Sequence, residues 1–324
     1  MRLSRRTLVA ALPVLAAGVA RAQKSDSYPS RPVAFVVPFE RGGTTDTLAR
    51  LLAEGLHDRL GQPFAVQNRA GEGTVLATNF VAKSPPDGYT IMMAVSTLAI
   101  DATLFKKLPY DPLADLAMVA LVAKVPFVLV VNAQFPVYSV DDLVDLARKR
   151  SLSFGSGGVG SFHHLAAAVF SRETGIKLTH VPYRGTAPAL ADLVGGYVQF
   201  MFTDYAPAAA LINSGKVRPL AVTTTAPLSP LQEVPPLATA GVAGFDLAAW
   251  QAVIAPAHTP SDVVGLLNAQ LNAIVANADV RVRLRQLGMT PIGKNTPQEL
   301  AAFLQAENVR WGNIVKAAGL ARSE

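Results

Sequence analysis

The sequence predicts an α/β protein of two lobes, each built on a central sheet flanked by helices. Runs rich in β-branched and aromatic residues alternate with helical patterns, which is the order expected of parallel strands covered by helices. Half of the 324 residues are hydrophobic, so the chain is globular. At this length a chain commonly divides its core between two lobes.

The first lobe is predicted from a series of strands and helices near the start of the chain. The series comprises strands at 33–39, 64–67 and 89–95 and helices at 44–60 and 74–83. The clearest pattern is that of the first helix, where leucines recur every fourth residue and form one apolar face. These leucines are Leu48, Leu52, Leu56 and Leu60.

A second series predicts the other lobe. It comprises strands at 127–131, 152–154, 178–181, 199–203 and 219–224 and helices at 140–150, 161–173 and 187–193. The chain ends in helical patterns at 261–277, 280–287 and 297–318. This tail has too few strands for a lobe of its own, so we expect it to pack on the first lobe.

The order of these elements sets the expected lobe boundaries. Lobe 1 is predicted to consist of 28–125 and 250–324, and lobe 2 of 126–249. The chain then crosses between the lobes near 124–127 and again near 245–255. Two crossings side by side form a hinge about which the lobes can close.

The first 22 residues have the three regions of a signal peptide. A basic start precedes an apolar run at 8–19 and Ala20-Arg21-Ala22, the small-x-small pattern of a cleavage site. The run is shorter than the roughly 20 residues that span a bilayer, and no later segment reaches that length. The sequence therefore predicts export to the periplasm. Ser4-Arg5-Arg6 leaves the twin-arginine route open beside the ordinary secretory route.

The charge balance excludes a nucleic-acid partner. The net charge is +6, but Arg2, Arg5, Arg6 and Arg21 lie in the signal peptide, so about +2 remains on the mature chain. Nucleic-acid-binding domains concentrate a much larger excess of Lys and Arg. The chain has no Cys, and its five His residues have no metal-ligand spacing, so neither a metal nor a cofactor is expected.

Three junctions between a predicted strand and the next helix are rich in glycine and other small residues. They lie at 38–46, 155–161 and 183–188. Helix N-termini present unpaired backbone N–H groups and partial positive charge, and glycine lets a ligand approach the backbone. Three such junctions favour an anion-binding site. At the first, a simpler alternative is that Thr44, Thr45 or Asp46 caps a helix that begins at Thr47.

Two enzymatic alternatives fit the second junction less well. Its glycines have the offsets of a dinucleotide fingerprint, but the next strand ends at 180–183 without the acid that would hold a ribose. Ser161 lies near His163 and His164 in the sequence, but no Gly-x-Ser-x-Gly turn surrounds it. No catalytic residue is therefore assigned.

Ordered motifs along the mature chain are similar to those of one receptor family. They are Tyr28-Pro29-x-Arg31-Pro32, Gly42-Gly43-x-x-Asp46-x-x-Ala49-Arg50, Asn68-Arg69, Pro86-Asp87-Gly88-Tyr89-Thr90, Gly160-Ser161, His164-Leu165, His180-Val181-Pro182-Tyr183-Arg184-Gly185, Pro188-Ala189, Asp192-Leu193, Gly195-Gly196, Trp250 and Ala255-Pro256. Over essentially its whole mature length the chain resembles the Bug-type extracytoplasmic solute receptors, the substrate-binding family of the tripartite tricarboxylate transporters.

The resemblance implies a type II periplasmic-binding-protein fold with a ligand cleft between the lobes. In such a cleft, backbone amides of the first and third junctions would hold a ligand carboxylate, with other groups reached through bridging waters. The ligand-binding residues it implies are Gly42, Gly43, Thr44, Asp46, Ser96, Thr97, Gly160, Ser161, Arg184, Gly185, Thr186 and Asp204, together with Arg41 at the cleft edge.

Glu40 and Arg41 stand where members of this family carry small residues or Pro. Three interpretations of this edge stay open. Both side chains are solvated, as most surface charges are. Otherwise Arg41 pairs with a distal carboxylate of the ligand through a charge-assisted hydrogen bond, or Glu40 neutralises Arg41.

The resemblance also implies a role. The protein would be a non-catalytic monomer without a cofactor, which captures a dicarboxylate, tricarboxylate, aromatic acid or amino acid and delivers it to membrane transporter subunits. The alternative partner is a signalling receptor that senses the closed form. Trp250 and Trp311 are expected in the core and not at a stacking site for a sugar or base.

Overall fold

The computed structural model describes residues 28–71 and 74–323, so the signal peptide predicted at 1–22 lies outside the described residues. The strands are β1 Val33–Val37, β2 Phe64–Asn68, β3 Thr90–Val95, β4 Leu116–Asn132, β5 Leu152–Ser156, β6 Leu178–Pro182, β7 Phe200–Asp204, β8 Val217–Val222, β9 Ala248–Pro256 and β10 Thr290–Pro291. The helices are α1 Thr44–Leu60, α2 Val75–Ala82, α3 Thr97–Leu104, α4 Val140–Lys149, α5 Phe162–Thr174, α6 Thr186–Val194, α7 Tyr205–Asn213, α8 Ser261–Ala276, α9 Ala278–Gln286 and α10 Pro297–Ala317. The predicted α/β class is confirmed.

These strands form one sheet in the order β2-β1-β3-β9-β4-β7-β5-β6, with β8 and β10 also paired to β4. β4 joins two parts of the sheet, because its residues up to Pro126 pair with β9 and those from Phe127 pair with β7 and β8. We call β2, β1, β3, β9, β10 and 116–126 the first half-sheet. The second half-sheet consists of 127–132 with β7, β8, β5 and β6.

Each half-sheet has a parallel part built from strand-helix-strand units. β1 pairs in parallel with β2 and β3, and β5 pairs in parallel with β6 and β7. The carboxyl ends of the strands in such units are followed by helix N-termini, which places the glycine-rich junctions at those edges.

The long strands at the centre differ from the sequence-based expectation. The strand predicted at 127–131 is only the last part of the 17-residue β4, and β9 lies in the segment predicted as a crossing near 245–255. β4 is buried along nearly all of its length, so it carries a continuous apolar run instead of the alternation that marks a half-exposed strand. Both segments predicted as crossings contain residues of paired strands. The lobe boundaries stay a prediction.

Helices α3 and α7 were not predicted from the sequence. They have eight and nine residues, and each follows a strand after at most one intervening residue. Strand and helix then merge into one apolar stretch, in which no period of 3.6 residues is long enough to be recognised.

The leucine pattern of α1 is confirmed. Leu48, Leu52 and Leu56 are fully buried against the first half-sheet, and Leu60 packs at the edge of the same core. Trp250 and Trp311 are also core residues, as expected, with exposed fractions of 2% and 0%.

Among the described residues, no single helix is both long and apolar enough to cross a membrane. α8 and α9 meet the length and composition requirement only as a pair, and they are bent by 72° at the break between them.

Candidate functional site

The first junction ends in a helix N-terminus without a side-chain cap. α1 begins at Thr44 with Gly43 as its N-cap, and its first helical hydrogen bond runs from the Thr47 amide to the Gly43 carbonyl at 3.0 Å. The alternative of a capped helix that begins at Thr47 is therefore wrong. Within residues 28–71 and 74–323, the amides of Thr44 and Thr45 have no hydrogen-bond acceptor. They are donors available to an anion.

Open space adjoins the two glycines of this junction. Gly42 has a φ of 89°, in the left-handed region that favours glycine. A Cβ atom placed on Gly42 or Gly43 would meet no other atom within 4 Å. A ligand group can therefore reach the backbone here without displacing a side chain.

Asp46 supports this loop from within. Its Oδ2 accepts hydrogen bonds from the Gly42 amide at 3.0 Å and from Arg50 Nε at 2.9 Å, and its Oδ1 accepts from Arg50 and Asn68. Burial would raise the pKa of Asp46, but these hydrogen bonds outweigh it and lower the pKa to about 2. The structure thus places Asp46, predicted as a ligand-binding residue, where its carboxylate fixes the Gly42 turn.

The third junction repeats the arrangement of the first. Gly185, with a φ of 115°, is the N-cap of α6, which begins at Thr186 without a side-chain cap. A Cβ on Gly185 would meet nothing within 4 Å. Because Pro188 has no N–H, the donors of the first turn are the amides of Thr186 and Ala187. Arg184 is exposed beside them.

At the second junction, Ser161, which was predicted as a ligand-binding residue, is the N-cap of α5. Its hydroxyl donates to the Gly158 carbonyl at 2.7 Å and accepts from the His164 amide at 3.3 Å. This hydroxyl is therefore already used within the loop, as expected of a helix-capping serine.

The backbone amides of two glycines in the second junction are also used internally. The Gly157 amide donates to His163 Nδ1 and the Gly160 amide donates to His164 Nδ1, both at 3.2 Å. These contacts occupy the amides of two of the three fingerprint glycines, which a dinucleotide pyrophosphate would approach. Gly160 and Ser161 thus shape the wall of the candidate site, while the helix N-termini without a side-chain cap belong to the first and third junctions.

Gly160 brings the second junction against the first half-sheet. Its φ is 70°, and a Cβ there would lie 2.1 Å from Cδ2 of Leu104, a residue of α3. Only glycine fits this approach, which is a contact between elements of the two half-sheets.

A chain of contacts links the three junctions. Thr44 Oγ1 donates to Oδ2 of Asp204, the last residue of β7, at 3.4 Å. Asp204 Oδ1 lies 3.9 Å from His163 Nε2, and the Nδ1 of this His163 accepts from Gly157. Gly157 in turn lies against Gly185, whose carbonyl carbon is 3.7 Å from a Cβ placed on Gly157.

His163, which was not predicted as a site residue, faces Asp204 without a direct hydrogen bond. Its Nδ1 accepts a hydrogen bond, so in the neutral ring the proton is on Nε2. That Nε2 is buried and has no acceptor among the residues the structure describes. Burial lowers the pKa of His163 and raises the pKa of Asp204. The attraction between the two charged forms acts in the opposite direction on both pKa values, but burial is the larger effect. Nothing in its sequence spacing marks His163, because its partner is 41 residues away.

Ser96 and Thr97 lie at the start of α3, behind the first junction. Ser96 is buried, and its Oγ accepts a hydrogen bond from the Trp250 amide at 2.8 Å, which fastens β9 to the end of β3. Thr97 Oγ1 lies 2.8 Å from Thr74 Oγ1, which donates to buried Asp101 at 3.2 Å. Burial raises the pKa of Asp101 to about 7.

Glu40 and Arg41 are both exposed at the outer edge of the first junction. Neither side chain forms a hydrogen bond or an ion pair with another residue in the described parts of the chain. Arg41 is thus not neutralised by Glu40 in this structure.

Ser156 and His180 form a hydrogen bond of 2.6 Å, as the serine and histidine of a catalytic pair do. Ser156 is fully buried, and its Oγ also interacts with the Gly158 carbonyl at 3.1 Å. The ring of His180 stacks on His164 at 3.7 Å, and no carboxylate in the described residues orients it. Without an exposed nucleophile or an orienting acid, the arrangement is that of a packed polar cluster.

Comparison with known families gives a match over most of the chain. Residues 48–320 match the family model described as the tripartite tricarboxylate transporter family receptor.

Solved structures resemble the chain over nearly its whole length. R. palustris Rpa4515 with adipate has a TM-score of 0.86 at 40% identity, covering 91% of this chain and 99% of that one. The periplasmic binding protein BugD has a TM-score of 0.83 at 33% identity, covering 91% and 99%. MatC from Rhodopseudomonas palustris with bound malate has a TM-score of 0.80 at 33% identity, covering 89% and 100%. The periplasmic-binding-protein fold is therefore confirmed.

Proposed function

We propose that this chain, which belongs to the tripartite tricarboxylate transporter receptor family, closes two lobes around a small metabolite and binds a carboxylate group of that metabolite. Members of this family are solute-binding receptors, and so is this chain. The proposal adds two points to this role. The bound group is a carboxylate, and the receptor delivers its ligand to a membrane transporter.

One observation carries the carboxylate assignment. Two helices, α1 and α6, begin at glycine N-caps that have no side-chain cap and open space beside them. Their first amides can donate to the oxygens of an anion, and the helix dipoles favour negative charge at the same point. Backbone donors also spare the empty receptor the cost of a buried, unpaired Lys or Arg.

Similar receptors support the chemical class of the ligand. Rpa4515 was solved with adipate and MatC with malate, and both molecules are dicarboxylates. For this chain we propose a small organic acid whose first carboxylate lies on the amides of Thr44 and Thr186. Arg41 is exposed and has no ion-pair partner in residues 28–71 and 74–323, so at the edge of the first junction it can meet a second carboxylate.

The remaining parts of the proposal concern location and partners. The protein is exported, acts as a monomer in the periplasm and delivers its ligand to the membrane subunits of a tripartite transporter. It has no catalytic role, since the fold neighbours are binding proteins, Ser156 is buried, and no carboxylate among the described residues orients His180.

The test is a thermal-shift screen with a panel of organic acids and their matched neutral amides, including adipate and adipamide. A ligand that binds only the folded state raises the melting temperature by mass action, by an amount that grows with its concentration over Kd. The proposal predicts that at least one acid raises the melting temperature while its amide does not. Stabilisation by the amide to the same extent, or only by sugars or nucleotides, would contradict the carboxylate assignment.

A further inference from the structure

A cavity lies away from the candidate site. It has a volume of about 540 Å³ and is lined by residues of α9, α10, the pair β4–β9 and the segment that follows β8. Its lining shares no residue with the three glycine-rich junctions. The cavity is large enough for a small organic molecule, since ligand pockets commonly measure about 300–1,000 Å³.

Unpaired cations line one side of this cavity. Lys124, Arg281 and Arg285 make no ion pair and no side-chain hydrogen bond with any residue of 28–71 or 74–323. Arg310, also in the lining, is by contrast held by Glu307 at 3.4 Å and by the Asp246 carbonyl at 2.9 Å. Three cations therefore remain free to bind an added anion.

The two free arginines stand on the same face of one helix. Arg281 and Arg285 are four residues apart on α9, so their side chains project in the same direction. Like charges at this spacing destabilise an isolated helix. A doubly charged anion between them would turn this repulsion into attraction.

Part of the cavity lining is apolar. It includes the largely buried side chains of Leu121, Trp250, Leu228 and Met289, with the partly exposed ring of Phe303 beside them. An inorganic anion has no apolar surface to bury against these side chains, whereas an aromatic or aliphatic body would bury apolar surface on them.

From this combination we propose that the cavity is a second ligand site, which binds an organic anion with an apolar body and two acidic groups. The acidic groups lie between Arg281, Arg285 and Lys124, and the body packs on the ring of Phe303, a partly exposed apolar side chain of the lining. The site is separate from the candidate carboxylate cleft and does not depend on it.

Calorimetric titration with 1,5-naphthalenedisulfonate tests the site. This probe has a flat apolar body and two acidic groups but no carboxylate, so it does not present the group that the cleft is proposed to bind. Binding at one site is expected. Saturating acetate at constant ionic strength should leave it unchanged, because acetate has the carboxylate that the cleft is proposed to bind but neither an apolar body nor a second acidic group. Displacement of the probe by acetate would place both in one site and overturn the proposal.

Matched arginine variants locate the binding. The double variant Arg281→Gln/Arg285→Gln is expected to raise the Kd of the probe about tenfold or more, because two charge-assisted contacts are lost. The control Arg283→Gln/Lys316→Gln also removes two positive charges, both from exposed positions outside the cavity, so its Kd should stay within about twofold of the unchanged protein. An equal rise in the Kd of the probe in the two variants would show that the effect comes from net charge alone and would contradict the site.

Two further probes separate the roles of charge and apolar surface. Inorganic sulfate lacks the body and 1-naphthol lacks the charge, so both are expected to bind at least about tenfold more weakly than the disulfonate. If the double variant fails to fold, as judged by its melting curve, Lys124→Gln provides the substitute, because Lys124 is exposed. The absence of any binding by the disulfonate, or equal binding of sulfate, would overturn the proposal.

Discussion

Thr44, the first residue of α1, donates a hydrogen bond of 3.4 Å to Asp204, the last residue of β7. α1 packs on the first half-sheet and β7 belongs to the second, so this bond joins the two parts of the molecule at the candidate site. Together with the close approach of Gly160 to Leu104, it is a contact that separation of the half-sheets would break.

Removal of this bond should weaken ligand binding. In Thr44→Val, the hydroxyl that meets Asp204 is lost, while the shape of the side chain is nearly kept. One such hydrogen bond is worth about 0.5–1.5 kcal/mol, so the Kd for the best acid of the thermal-shift panel should rise about two- to twelvefold. Calorimetry measures the change.

The control is Thr47→Val on the same helix, where the side chain makes no hydrogen bond with other described residues. Its Kd should stay close to that of the unchanged protein. An unaltered Kd in Thr44→Val would show that the contact with Asp204 does not contribute to the ligand-bound form.

Gly160 should not tolerate a side chain. Gly160→Ala places a Cβ 2.1 Å from Leu104 and strains a backbone with a φ of 70°. We expect the free energy of unfolding to fall by about 2–4 kcal/mol, from backbone strain and overpacking together. Chemical denaturation measures this loss.

Gly175→Ala provides the matched comparison, because Gly175 has a φ of 68° and open space around it. It should lose only the strain, about 1–2 kcal/mol. If both variants lose the same amount, the contact between Gly160 and Leu104 has no energetic consequence.

The carboxylate of Asp46 should make stability depend on pH. Its pKa in the folded protein is about 2, below the ordinary value of 3.8, so it stabilises the fold above pH 4. This contribution, on the order of 2 kcal/mol, is lost as the pH falls from about 4 to 2. The difference in unfolding free energy between the unchanged protein and Asp46→Asn should therefore shrink over that range.

Asp58→Asn, an exposed position on the same helix, should show no such trend. A difference between the unchanged protein and Asp46→Asn that stays constant from pH 6 to pH 2.5 would rule out the proposed ionic anchor of the Gly42 turn.

Glu307 should be needed for the packing of both tryptophans. Its Oε2 accepts hydrogen bonds from the indole nitrogens of Trp250 at 2.9 Å and Trp311 at 2.7 Å. Glu307→Ala leaves two buried donors unsatisfied, so unfolding should become easier by about 2–5 kcal/mol. Thermal denaturation compares this variant with Gln305→Ala, an exposed change on α10 that should cost less than about 0.5 kcal/mol. Similar losses in the two variants would contradict the role of the carboxylate.

Much of the fold could be predicted from local patterns. α1 was predicted with the bounds that the structure has, because its leucines recur with the period of a helix and glycines precede it. β4 and β9 could not be delimited in the same way. They are buried on both faces, so the alternation that sequence reasoning relies on is missing.

The candidate site was predictable where it depends on backbone and glycine, and not where it depends on distant side chains. The open turns at Gly42 and Gly185 follow from sequence, since glycine before a helix marks a backbone that a ligand can reach. The position of His163 opposite Asp204 does not follow from the sequence, because it requires β7 and α5 to pack side by side. Asp46 is an intermediate case, since its contact with Arg50 has helical spacing but its bond to Gly42 depends on the turn.

The central claim is that backbone amides of two helix N-termini hold a carboxylate. A crystal structure with the acid selected by the thermal-shift panel tests it most directly. We predict the oxygens of one carboxylate at about 3 Å from the amide nitrogens of Thr44 and Thr186, close to Gly42 and Gly185. A carboxylate held instead by the Arg184 side chain alone, or found in the cavity beside Arg281 and Arg285, would contradict the claim.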